Sequence, residues 1–436
     1  MSQNDKIKFR FNFKKSIIAI LITILFCAGC DSVDSHHAAE QASESLQQSV
    51  EQQPKSQLTK QQPELQSVSQ STEESEASES EQVSIVMVGD VLLHTPINES
   101  ARQEDGSYDY SHLFAHVKQD IQAADIAIVN QEVILGGAEL GLSGYPAFNS
   151  AYEAGDALAD AGFDVVLHAT NHALDRGKQG ILNCLAYWRE QQPQMKVVGI
   201  YDSAVAQESK PCIIEQNGMK IAILNYTYGT NGIPLPADMP YAVNLLDQDR
   251  IRDDVERAKE EADFVIVCPH WGTECSHEIS DQQKKYAQFF ADLGVDLVIG
   301  THPHVIEPVA WTESETADDA SADETHRTLV YYSLGNFINA TSGSGSGVAD
   351  RMVGAMACVT LTRSSDDKVV IGDYGVEPLV TQMLTGKGRI TTYKLSDYTQ
   401  ELADENEVLE RDGAFSYQYC VDLCSEIFGD LYQPEH

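Results

Sequence analysis

The chain has 436 residues, with 29 basic against 67 acidic side chains and a formal charge of −38 at pH 7. That length admits two or three domains and a large core, and a hydrophobic content of 42% is ordinary for a globular chain. A field of this sign repels phosphate backbones and anionic lipid surfaces, which excludes nucleic acid and charged headgroups as ligands held by bulk attraction.

The first thirty residues read as an export segment. Lys6, Lys8, Arg10, Lys14 and Lys15 form a basic head, and Ser16 to Phe26 is an apolar run of eleven. Such a run fits the ~7–15 residues of a signal and falls short of the ~20 that span a bilayer. Cys27-Ala28-Gly29-Cys30 follows at once. Ala-Gly-Cys resembles a bacterial lipoprotein cleavage box with Cys30 as the lipidated residue, although Cys27 stands where Leu is usual. A plain signal peptide or an uncleaved anchor are the alternatives. Cleavage before Cys30 would remove five positive charges and Asp5, leaving −42. Several acyl chains on one cysteine would meet the need for more than one chain in stable anchoring. Residues 31–82 are dominated by Ser, Gln and Glu. They cannot bury enough apolar surface to fold and read as a solvated tether.

Folded sequence is expected from about Val83. Ser84–Val88 is a predicted strand ending in Gly89-Asp90, and a predicted helix over Leu113–Ala124 leads to a strand at Ile126–Val129, ending in Asn130-Gln131-Glu132. A helix at Gly155–Gly162 precedes the apolar run Val165-Val166-Leu167, which breaks into Thr170-Asn171-His172, then Asp175 and Gly177. Ile181, Leu185 and Trp188 mark one face of a helix over Lys178–Gln192, with spacings of four and three. A strand at Val197–Ile200 follows, then a hairpin of Cys212–Glu215 and Lys220–Asn225 around Asn217-Gly218, a strong turn signal. Helix Asp249–Ala262 feeds the strand Phe264–Val267, ending Cys268-Pro269-His270-Trp271-Gly272. Helix Asp281–Leu293 feeds Asp296–Ile299, ending Gly300-Thr301-His302-Pro303-His304. Strands then succeed one another at Val305–Trp311, Thr328–Ile338, Met352–Thr362 and Lys368–Val376. An acidic insertion (Thr312–Glu324) and a Gly/Ser loop (Ser342–Gly347) between them read as exposed.

Alternating strands and helices followed by consecutive strands predict partly parallel sheets covered by helices. Five apolar strands end in Asp90, Glu132, Asn171, His270 and the His302/His304 pair. C-terminal strand ends line the ligand crevice of open α/β sheets. Carboxylates, an amide and imidazoles without thiolate suit one or two ions of Mn, Fe or Zn. Two ions sharing a carboxylate can clamp a phosphoryl group.

The order and approximate spacing of Gly89-Asp90, Asn130-Gln131-Glu132, Asn171-His172 with Asp175 and Gly177, His270-Trp271-Gly272, Gly300-Thr301-His302-Pro303-His304 and Ser333-Leu334-Gly335-Asn336-Phe337 resemble the CapA family. These are bacterial poly-γ-glutamate capsule biosynthesis proteins with a calcineurin-like metallophosphatase fold. The likeness covers about 83–383 and leaves residues 384–436 as an extension in which Tyr417–Leu431 suits a docked amphipathic helix. It implies a four-layer α/β/β/α sandwich of two mixed sheets, with two divalent metals at one edge. Asp90, Asn171, His270, His302 and His304 are the implied ligands, Glu132 the bridging carboxylate and His172 the proton donor to a leaving group. An imidazole's ordinary pKa of ~6.5 suits that last role. Asp175 either orients His172 or caps the following helix; Asn130 would hold the loop presenting Glu132, and Asn336 would brace the crevice. His94, four residues beyond Asp90, is badly spaced for a ligand, and Cys268 reads as a buried structural thiol. Beyond the export segment seven cysteines remain, an odd number without motif spacing, so no disulfide framework is legible. Two functions are open. One is a metal-dependent hydrolase of a phosphoester, or as a second choice of an amide, outside the cytoplasm and attached to the membrane by lipid. The other is a capsule assembly partner of the synthase and export proteins, with a structural or vestigial metal site.

Overall fold

The computed structural model describes residues 82–433, apart from 210, 317–324, 342 and 387. The export segment, nearly all of the tether and most of the acidic insertion lie outside the described residues. Among the described residues no helix is long and apolar enough to cross a membrane.

The chain begins with β1 (Gln82–Val91), α1 (Thr95–Ala101), α2 (Lys118–Ala123), β2 (Ile126–Asn130), α3 (Glu153–Ala161), β3 (Val165–Leu167), α4 (Gly177–Gln191) and β4 (Lys196–Val198). It continues with α5 (Ala204–Gln207), β5 (Cys212–Gln216), β6 (Met219–Thr227), α6 (Gln248–Glu261), β7 (Phe264–His270), α7 (Asp281–Leu293), β8 (Leu297–Ile299), β9 (Val309–Glu313) and β10 (Arg327–Tyr331). The last elements are β11 (Asn336–Ile338), β12 (Val353–Arg363), β13 (Val369–Met383), β14 (Ile390–Lys394), α8 (Gln400–Glu405) and α9 (Tyr417–Phe428).

Two mixed sheets result. The first runs β14-β13-β12-β1-β2-β3-β4, with β11 pairing on β1, and the second runs β5-β6-β7-β8-β10-β9. Strands β1 to β4 are parallel, as are β6, β7, β8 and β10. Every residue of β2 and of β7 is buried, the pattern of strands covered on both faces. The two faces of β7 have different partners. Phe264, Ile266 and Cys268 belong to the core between the sheets, whereas Val265 and Val267 pack in a separate cluster with Val255 of α6 and Phe290 of α7. Cys268 Sγ touches Met87 Sδ of β1 at 3.7 Å, one sheet against the other. On the far side Leu158 of α3 and Ile181 and Trp188 of α4 cover β1 to β4. The layers are therefore helix, sheet, sheet, helix.

Three expected elements differ. The helix over Leu113–Ala124 is cut to a 3-10 turn at Ser111–Phe114 and then α2. Phe114, at the end of that turn, stacks on Phe337 with ring centroids 5.6 Å apart. The strand over Val305–Trp311 starts only at Val309, because His302 and His304 both carry positive φ and the chain is still turning there. The single strand over Thr328–Ile338 is two strands in two different sheets, β10 beside β8 and β11 beside β1.

The crossing between those sheets passes through Ser333-Leu334-Gly335, where Gly335 has φ +63° and its carbonyl accepts from Asp90 N at 3.0 Å. A Cβ on Gly89 would sit 2.0 Å from that same carbonyl oxygen. Gly89→Ala should therefore destabilise the fold by about 1–3 kcal/mol, the range for overpacked sites. A thermal midpoint equal to the parent's would show that the two backbones can part at no cost.

Past residue 383 the chain still adds to the first sheet, through β14. Helix α9 buries Cys420, Val421, Cys424 and Phe428. Tyr419 of α9 hydrogen-bonds Asp350, which faces His277 Nε2 at 3.4 Å, and His277 Nδ1 bonds Ile306 O at 2.7 Å. The C-terminal helix is thus tied to the loop that carries His302 and His304.

Candidate metal centre

Parallel strands of both sheets end at one rim, and that places the donors. Asp90 lies near the end of β1, Asn130 closes β2, Glu132 follows it, and Asn171 and His172 follow β3. From the second sheet, His270 closes β7, while His302 and His304 follow β8. All six expected ligands are buried, none more than 8% exposed.

Their polar atoms converge. Asp90 Oδ2 lies 3.1 Å from His304 Nδ1 and accepts from His302 N at 3.2 Å, while Oδ1 accepts from Asn130 Nδ2 at 2.8 Å. His270 Nε2 stands 2.9 Å from Asn171 Oδ1. The His270 and His302 rings are 4.8 Å apart, and those of His302 and His304 5.8 Å. Glu132 sits at the middle. Its Oε1 is 3.8 Å from His270 Nε2 and 3.9 Å from His172 Nε2, and its Oε2 is 3.7 Å from His304 Nδ1. Those gaps are too long for hydrogen bonds, yet they suit donors that share an ion at about 2.0–2.2 Å. Among the described residues neither Glu132 oxygen has a hydrogen-bond partner, and nor has His302 Nδ1. A buried carboxylate without a partner is costly, and a cation between these atoms removes the cost. Two groups of compatible donors, Glu132–His270–His302 and Asp90–Glu132–His304, overlap at Glu132.

Charge supports the same fit. Burial, then the neighbouring imidazoles, hold His270 and His302 well below the ordinary histidine value, so both are neutral and present a lone pair. Burial pushes the Glu132 carboxyl up, and Asp90 adds to that rise. Burial would lower His304, but the Glu132 and Asp90 carboxylates outweigh it and lift its pKa to about 10. An ion entering here displaces that proton.

His172 occupies the mouth of the crevice. Its Nδ1 bonds Asp175 Oδ2 at 2.6 Å, and Phe148 N donates to the same oxygen at 2.7 Å. A carboxylate only accepts, so Nδ1 carries a proton and Nε2 faces Glu132. Asp175 orients the imidazole and does not cap α4, whose N-terminus has no side-chain cap. Asn130 does not hold the Glu132 loop; it grips Asp90 itself. That loop is held by Thr170 Oγ1, which donates to Glu132 O at 2.8 Å. Asn336 Nδ2 donates to the carbonyls of His304 and Arg351, each at 3.0 Å, bracing the crevice through its backbone.

Several residues join the site without having been singled out in the sequence. Glu274 forms a third compatible group with His302 and His304 and is the exposed member of it; its signal was the run His270-Trp271-Gly272-Thr273-Glu274. Thr301 Oγ1 lies 3.0 Å from His270 Nδ1 and sets that ring. Tyr228 packs on His302 with ring centroids 4.5 Å apart, and Asn231 Oδ1 accepts from Asn171 Nδ2 at 3.3 Å. His94 stands nearby, edge-on to Phe148 at 5.1 Å. Burial, then the charges of His304 and His172, lower its pKa to about 4. None of the compatible groups among the described residues includes it.

The sequence profile of a family described as "Bacterial capsule synthesis protein PGA_cap" matches residues 84–341, which takes in every residue of this centre. The chain belongs to the PGA_cap family. It is 31% identical over 191 residues to the PGA biosynthesis protein CapA of Bacillus subtilis (strain 168), covering 42% of this chain and 44% of that protein. It is 26% identical over 274 residues to the capsule biosynthesis protein CapA of Bacillus anthracis, covering 60% of each chain. The matches thus span about half the length of these PGA_cap relatives. Solved structures that align with it include the calcineurin-like phosphoesterase YfkN from Bacillus subtilis, with TM-score 0.38 and 14% identity over 69% of this chain and 90% of that one. Another is a 5'-nucleotidase precursor from Thermus thermophilus, with TM-score 0.41 and 13% identity over 69% and 54%. At such overlaps the fold rests on the sheet order and layering described above.

Proposed function

We propose that this PGA_cap chain is a metal-dependent phosphoester hydrolase of capsule synthesis, working outside the cytoplasm on a lipid anchor. The observation that carries the chemistry is Glu132, buried, without a hydrogen bond, and ringed by imidazoles at 3.7–3.9 Å. Asp90, Glu132, Asn171, His270, His302 and His304 would hold two divalent ions of Mn, Fe or Zn, with Glu132 shared and Glu274 at the open side. Bound there, such ions supply Lewis-acid polarisation of a phosphoryl oxygen and a nucleophile at neutral pH. The chain's own residues do the rest. His172, fixed through Nδ1 by Asp175, presents Nε2 toward the crevice and gives a proton to the departing oxygen. Tyr228 and Phe148 pack against the imidazoles of His302 and His172.

The metal-loaded chain is expected to hydrolyse a generic phosphomonoester or phosphodiester, and chelation should abolish turnover. Absence of turnover on both with metal bound would transfer support to the second reading, a non-catalytic partner of the capsule synthase and export proteins. The capsule role is what the two CapA relatives suggest for this chain, and the polymer would be poly-γ-glutamate.

Anchoring at Cys30 is supported by the basic head, the eleven-residue apolar run and Ala-Gly-Cys. Cys30→Ser should leave the precursor uncleaved and shift any mature product from membrane to soluble fractions. A Cys30→Ser chain that is cleaved and sediments with membranes like the parent would overturn this.

A further inference from the structure

A second cavity, of about 360 Å³, opens where the edges of the two sheets meet. It lies between edge strand β4 of the first sheet and β5–β6 of the second, roofed by α4, α5 and α6. None of the donors of the metal centre lines it. Its size falls in the range of roughly 300–1,000 Å³ typical of small-molecule sites.

Its lining has two parts. Leu185, Val197 and Pro211, all partly exposed, make an apolar wall backed by the buried Met195, Val198, Ile200 and Ile223. Four cations, Arg189, Lys196, Arg250 and Arg257, stand against two carboxylates, Asp202 and Asp254. This local excess of positive charge occurs in a chain of −38. The carboxylates are already engaged: Asp254 binds both Arg250 and Arg257, and Asp202 binds Arg189. Lys196 has no carboxylate partner among the described residues, and its charge reaches the Cys212 thiol inside the cavity. Arg250 sends Nε to Asp254 and Nη2 to Gln207 O, which leaves Nη1 without a described protein acceptor.

We infer that this cavity binds a small amphipathic organic anion, its carboxylate taken by Lys196 and Arg250 and its apolar body lying on Leu185, Val197 and Pro211. An ammonium and a guanidinium beside an apolar wall match a charged head on a hydrocarbon body. A bare inorganic anion would leave the apolar wall uncovered, and a neutral chain would leave the two cations without a counter-charge. The floor of the cavity also abuts the metal centre. Asn225 accepts from Ala169 N at 2.7 Å and donates to Cys268 O at 2.8 Å, two residues before Asn171 and His270 respectively.

Calorimetric titration of the purified full chain with hexanoate, hexan-1-ol and inorganic phosphate tests this. Hexanoate is expected to bind at least tenfold more tightly than either control, and equally after metal is stripped with EDTA. Lys196→Glu, at an exposed position, should weaken hexanoate at least tenfold with an unchanged thermal midpoint. Ala206→Phe, which fills the mouth, should do the same. The inference is overturned if hexanol or phosphate binds as tightly, if stripping the metal abolishes binding, or if both variants bind hexanoate like the parent.

Discussion

Replacing His172 by asparagine is expected to slow turnover of a phosphoester with a poor leaving group by roughly 10²–10⁴, the usual cost of losing a general acid. Metal content should stay at the parent's level, because His172 belongs to none of the compatible donor groups among the described residues and its nearest partner is Asp175. With an activated leaving group that departs without a proton, the loss should shrink. Asp175→Asn should reproduce part of the effect, since an amide can no longer hold the Nδ1 proton unambiguously. Equal turnover of parent and His172→Asn on both substrates would remove the proton-donor assignment and leave the metal assignment standing.

Glu132→Gln is expected to have the largest effect on metal. The side chain belongs to both overlapping donor groups, so its loss should weaken binding by more than the ~10–100-fold typical of a supporting partner and stop turnover. The metal-free chain, in contrast, should be no less stable than the parent, because neither oxygen of Glu132 makes a hydrogen bond in the fold. Elemental analysis after reconstitution and a melting curve with EDTA read the two halves separately. His304→Ala should also lose metal, but it leaves Asp90 with its bonds to His302 N and Asn130 only. A Glu132→Gln chain that retains two ions per molecule would show that the carboxylate is not shared.

The sequence alone determined the strand ends and what they carry. Runs such as Phe264–Val267 and Val165–Leu167 are apolar on both faces, and polar donors stand at or just past the ends of the strands they form. Asp90, Glu132, Asn171, His270, His302 and His304 are therefore legible in the linear order as donors at strand ends. Local pattern could not decide which sheet each strand joins. Residues 328–338 read as one strand, but they serve two sheets, because only tertiary packing shows Gly335 turning beneath Gly89. His302 and His304 do share a side of the crevice, yet through left-handed backbone at both residues and not through strand alternation. The partnerships of Asn130 with Asp90 and of Glu274 with the two histidines span up to 40 residues, whereas Asp175 and His172 stand three apart and the structure decides only that they pair. Distance along the chain carries no information about such contacts. The long-range ones exist because the parallel strands of two mixed sheets, packed face to face, bring their C-terminal ends to one rim.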